Sequence, residues 1–172
     1  MNDCVAVLAL AEEMAESVRR GRLEEGFIAC RTGDKTVKEG SFCTGDDECI
    51  IGLPACENGK PFASFHTHET HGLQGRAAEA LLVPSPKDLE ADREVGVKVG
   101  CVGGNLNDGT GLVWCFPTDR DVAKITDIVA QMNEVLEMHP FAVEGKLTEL
   151  VDEYLKAGRP CSVLRFKVGS DG

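Results

Sequence analysis

Pro61-Phe-Ala-Ser-Phe-His-Thr-His68 is the stretch from which the rest of the chain can be read. Its apolar residues follow a loop-rich segment and precede a long connection, which reads as a short strand. Strand side chains alternate with period two, so His66 and His68 point to one face. Two imidazoles so placed can close on one metal ion; the same pattern also suits a surface His pair or two hydrogen-bonded core histidines.

Upstream, Val5, Leu8, Ala9, Ala11, Met14, Ala15 and Val18 recur at helical spacing. Arg19 and Arg20 fill the last turn and Gly21 stops a helix over residues 5–20. Residues 26–31 (GFIACR) read as a buried strand with Glu25 at its mouth. Gly33-Asp34-Lys35 is a turn, residues 36–39 start another strand, and residues 40–60 read as loops around a short apolar strand at 49–53. Downstream, the connection 69–84 carries a helical turn at 76–82, and Ser85-Pro86-Lys87-Asp88 opens a helix. Residues 95–103 and 111–116 are strands joined through Asn107-Asp108-Gly109. Residues 119–138 and 143–157 are amphipathic helices, and 161–168 form a last strand. Consecutive strands without regular intervening helices predict an α/β (α+β) fold, a mixed β-sheet flanked by helices rather than a doubly wound one. One domain over residues 1–172 accommodates all of it.

Composition bounds the function. Of 172 residues, 42% are hydrophobic and 27% charged, which is globular. Eighteen basic against 29 acidic residues give a net charge of -11, which argues against nucleic acid or an anionic membrane as the main partner. No apolar run has bilayer length, and the N-terminus lacks a basic n-region and an A-x-A site. The expectation is a soluble, cytoplasmic protein. Its eight cysteines contain no C-x-x-C pair. Cys30, Cys101 and Cys115 lie in strand-like runs and are expected as packed free thiols. Cys43, Cys49 and Cys56 would pair only in a setting such as a hyperthermophile's interior.

Ser85-x-x-Asp88 places Ser at an N-cap, Pro at N1 and an acid at N3, a capping-box start that needs no function. A cap that fixes the first turn also fixes where Asp88 points, and a third ligand on a rigid helix start suits a catalytic zinc with one open position. Glu25, if its strand neighbours 61–68, stands where a general base for a metal-activated water is wanted. Neighbouring Glu24 is the alternative, because one step of strand register exchanges their faces. His68-Glu69-Thr70-His71 lacks one residue of H-E-x-x-H, so His71 is read as a loop residue.

In their order, Glu25, then His66-Thr67-His68, then Ser85-x-x-Asp88 resemble the JAMM (MPN-plus) zinc metalloproteases, over roughly residues 1–120. The resemblance implies a JAMM-like fold with zinc on His66, His68 and Asp88, Glu25 as general acid/base, and Ser85 stabilising the oxyanion. It implies isopeptidase or peptidase action at the C-terminus of a ubiquitin-like or sulfur-carrier protein. Glu69 stands where the family usually has Pro, and the 16 residues from 69 to 84 add length where family members carry substrate-contacting insertions. Two other readings stay open: a zinc hydrolase of a small amide roofed by 69–84, and a non-catalytic scaffold.

Overall fold

The computed structural model describes residues 3–21, 24–33, 35–45, 56, 59–138 and 144–169, with the main chain alone at 24, 35–45 and 138. The N-terminal helical pattern becomes α1 (Asp3–Val7), a 3-10 turn (Leu8–Leu10) and α2 (Ala11–Arg20). Despite that break, Ala6, Val7, Leu10, Met14, Ala15 and Val18 are all buried, so one apolar face runs through the segment. Gly21 ends α2 with φ 67°, its N–H donating to Val18 O at 3.1 Å.

Then β1 (Glu24–Thr32) pairs antiparallel with both β2 (Lys35–Gly45) and β3 (Lys60–Thr67). Read from glycine content, β2 was expected to end at 39. It continues to Gly45 because the register against β1 steps over Gly40 and again over Phe42, so the glycine is absorbed as a bulge instead of ending the strand. The strand expected at 49–53 lies outside the described residues.

The six-stranded sheet has the order β2-β1-β3-β4-β5-β6, with β4 (Val99–Asn105), β5 (Thr110–Pro117) and β6 (Ser162–Lys167) completing it. Only β3 and β4 run parallel, and a parallel pair requires a crossover. That crossover carries α3 (Gly75–Glu79), a 3-10 turn (Ala80–Leu82) and α4 (Pro86–Glu94). It also delays β4, expected from 95: the Gly96 N–H closes α4 on Arg93 O, and the Val97 N–H bonds to Asp92 O. Asn107 (φ 59°) and Gly109 (φ 89°) form the β4–β5 turn as expected. Two helices, α5 (Val122–Met138) and α6 (Glu144–Gly158), fill the interval before β6.

Period-two alternation sends the sheet's side chains into two cores. On one face Phe27, Ala29, Ala63, Phe65, Cys101 and Val113 pack beneath α1 and α2. On the other, Val102, Leu112, Trp114 and Phe116 meet α3, α5 and α6 through Ala78, Ile128, Leu147 and Tyr154. This is the α+β arrangement expected, a mixed sheet with helices on both sides.

The cysteines depart from expectation. Cys30 bonds Cys56, Cys101 bonds Cys115 and Cys4 bonds Cys161, with Cα–Cα separations of 5.9, 4.0 and 5.9 Å respectively. Cys101 and Cys115 stand directly opposite each other across β4–β5, a pairing set by register that linear spacing does not reveal. Cys49 and the side chain of Cys43 lie outside the described residues. Among the described residues no helix is long and apolar enough to cross a membrane.

Candidate metal centre

His66 shares its sheet face with Val102, its partner across the parallel pair, and so projects toward the α3/α5/α6 side. His68 follows two residues later at the carboxyl end of β3. The crossover returns over this same face and brings the start of α4 to the two rings. There the Asp88 N–H bonds Ser85 Oγ at 3.1 Å and Asp88 Oδ2 accepts the Ser85 N–H at 2.9 Å, the reciprocal capping box read from the sequence. The same Oδ2 stands 3.5 Å from His66 Nε2 and 3.7 Å from His68 Nε2. Capping and ligand geometry therefore coexist in one carboxylate.

The ligand atoms of His66, His68 and Asp88 all lie within 4.8 Å of one another, the one such group among the described residues. Ligands about 2.0–2.1 Å from a tetrahedral ion stand about 3.3 Å apart, close to the two His–Asp distances. The two Nε2 atoms are nearer, at 2.7 Å. His68 donates its Nδ1–H to Leu81 O at 2.7 Å, which leaves its Nε2 lone pair facing the group. Two bare lone pairs repel at that separation, so a proton or a cation belongs between the rings. The donor set, two imidazoles and a carboxylate, suits a divalent ion. His66 is buried, while the side chains of His68 and Asp88 remain 23% and 22% exposed, so the group is open on one side.

Electrostatics agree with this geometry. Burial resists ionisation of Asp88, but the His66 and His68 rings and the Ser85 N–H outweigh it and hold its carboxyl well below the usual range. Burial, aided by His66, pushes His68 down to about 4, which keeps its ring neutral at ordinary pH. One turn along α4, burial pushes Asp92 up to about 7, against the pull of the nearby Ser64 hydroxyl.

The chain matches no family model, no curated protein and no solved structure.

Of the residues singled out from the sequence, four come together: His66, His68, Ser85 and Asp88. Glu25 does not. Gly26 is the register partner of His66, so residue 24 shares the phase of the histidines and residue 25 shares that of Thr67, on the α2 side. There Glu25 takes a two-point contact from the Arg20 guanidinium, with Nε–Oε2 at 3.2 Å, and its own N–H bonds Thr67 Oγ1 at 2.9 Å. The expectation that Glu25 faces the metal group is thus corrected by strand register, which leaves Glu24 as the strand position in phase with the site. His71 sits on the loop with φ 46° and its exposed ring near Glu69, as expected.

The second half of the connection 69–84 packs inward. Ala77, Ala78, Ala80 and Leu82 are buried in the core, and three side-chain donors pin the segment's carbonyls. Besides the His68 bond to Leu81, Trp114 Nε1–H reaches Leu82 O at 2.8 Å and Tyr154 Oη–H reaches Pro84 O at 2.7 Å. Trp114 and Tyr154 lie 32 and 70 residues away from those carbonyls, and no local pattern announces them. Asp92 was detectable: it follows Asp88 by four residues and so shares its helix face.

A cleft of about 260 Å³ opens beside His68, with Ser17, Thr67, Thr70, Gly72 and Asn105 among its walls.

Proposed function

We propose that the chain is a zinc-dependent hydrolase of amide bonds, a JAMM-like isopeptidase or peptidase. The convergence of His66 Nε2, His68 Nε2 and Asp88 Oδ2, all within 4.8 Å of one another and open on one side, carries this reading. Bound there, zinc supplies a Lewis acid and a water whose pKa falls to about 7. The residues supply the rest. His68 is oriented by Leu81 O and Asp88 by its own cap, so both already face the group before an ion is loaded. Ser85 Oγ uses a lone pair for the Asp88 N–H, which leaves its hydrogen free to donate to a developing oxyanion. Glu24 takes the place of Glu25 as general acid/base, since its strand position has the phase of His66.

For substrate, we infer the C-terminal tail of a ubiquitin-like or sulfur-carrier protein, from the resemblance of the motif order to the JAMM family. A zinc hydrolase of a small amide is the alternative: Ala77, Ala78, Ala80 and Leu82 pack into the core, but Thr70 and Gly72 of the same connection border the cleft beside His68. A second reading, a metal-holding scaffold without catalysis, is favoured by the Arg20 clamp that keeps Glu25 from the site. A cytoplasmic setting stands only where the cell interior preserves disulfides, as in hyperthermophiles, because three pairs are formed among the described residues.

The test is cleavage of a ubiquitin-like fusion, alongside a short amide, by the zinc-loaded chain. Cleavage lost in His68→Ala and Glu24→Gln and retained in Glu25→Gln supports the hydrolase. Metal retained by the parent chain with no cleavage of either substrate supports the scaffold.

A further inference from the structure

Buried polar atoms nearly always find partners, yet three beside the metal group do not: His66 Nδ1, Ser64 Oγ and Asp92 Oδ1. They converge on one place. Ser64 and His66 are two residues apart on β3 and share a face, while Asp92 lies one turn beyond Asp88 on the face of α4 turned to that strand. Gly100 is Ser64's partner across β3–β4, and a Cβ on it would stand 2.5 Å from Asp92 Oδ2 and 3.7 Å from Ser64 Oγ. The missing side chain at residue 100 is therefore what lets the Asp92 carboxylate lie against the sheet.

Asp92 is 2% exposed, and the groups that act on it are Ser64, His66 and Asp88, with no Lys or Arg among them. A carboxylate so buried costs several kcal/mol unless a polar partner meets it. His66 needs the converse: if its Nε2 is to ligate, Nδ1 must carry the proton and give it to an acceptor.

We propose that Asp92 is a positioning residue of the metal centre, its carboxylate accepting the Nδ1–H of His66 and so turning the Nε2 lone pair toward the ion. Asp92 then does for His66 what Leu81 O does for His68. The inference rests on His66, His68 and Asp88 holding zinc, and it adds a residue that acts only through a ligand.

The experiment uses the full chain, zinc-loaded at pH about 8 and ¹⁵N-labelled at histidine. His66 should show a slowly exchanging, downfield Nδ1–H resonance that moves upfield in Asp92→Asn. Competition with a chromogenic chelator should show zinc affinity in that variant lowered about 10- to 100-fold. A folded Asp92→Asn with unchanged affinity and resonance overturns the assignment. So does a parent protein whose His66 Nδ1–H exchanges as fast as an exposed ring's, a reading that needs no variant. Failure of the parent to take up zinc overturns the metal centre itself, whereas a zinc-binding parent with an unaffected variant overturns the role of Asp92 alone.

Discussion

Replacing Asp92 by Asn should change how the metal-free protein responds to acid. Burial pushes the Asp92 carboxyl up to about 7 from 3.8. Between those values the folded chain holds a proton that the unfolded chain has released. The stabilisation from this group is fully present below pH 3.8 and is lost as pH rises through about 7. His68 works in the opposite sense. Burial and His66 push it down to about 4 from 6.5, so within that window the unfolded chain holds the extra proton and stability falls on acidification. Each slope is about 1.4 kcal/mol per pH unit, so between pH 6.5 and about 4 the two nearly cancel in the parent. With Asn at 92 only the His68 slope survives, and the variant should lose about 3 kcal/mol more than the parent over that window. Urea unfolding with chelator present, at pH values from about 4 to 7, reads this as a midpoint difference that grows as pH falls. Asp88 and the other carboxylates act alike in both proteins and drop out of the difference. Parent and variant curves that stay parallel across the window would refute the reasoning.

Tyr154→Phe removes the buried donor to Pro84 O and leaves that carbonyl unpaired, at a cost of about 1–3 kcal/mol. Thermal melts should show it as a Tm lower by about 2–12 °C, with weaker metal binding because Ser85 and Asp88 follow directly. Breaking the Cys4–Cys161 bond with serine at both positions frees a loop closed over a separation of 157 residues. Chain entropy puts its loss at about 5 kcal/mol, or roughly 10–20 °C in Tm under oxidising conditions, and the difference should vanish in reductant. Gly100→Ala drives a methyl into the Asp92 carboxylate and should cost about 1–3 kcal/mol by urea unfolding, more than Gly145→Ala, where nothing stands within 4 Å.

Local chemistry was legible in the sequence wherever it is decided within a few residues. The His-x-His spacing, the Ser85–Asp88 cap, the Asn107–Gly109 turn and the Gly21 stop each depend on neighbours, and each is found in place. The mixed sheet followed from the order of the elements. What failed was register. The choice between Glu24 and Glu25 depends on Gly26 meeting His66, and the bond between Cys101 and Cys115 depends on those residues meeting across β4–β5. Neither alignment has a local signature, because a strand slipped by one residue keeps the same composition. The carbonyl pins from Trp114 and Tyr154 were hidden for a related reason, as they join elements far apart in the chain. The helical turn within 69–84 is found at 75–82, but that its alanines become core depends on packing against α6, which no local pattern announces.

One divalent ion shared by His66, His68 and Asp88 is the centre of the proposed chemistry. Elemental analysis of protein purified without chelators tests this most directly. It should find about one zinc per chain in the parent and none in His68→Ala. A folded parent with no bound metal, or a His68→Ala variant that keeps its full complement, would contradict it.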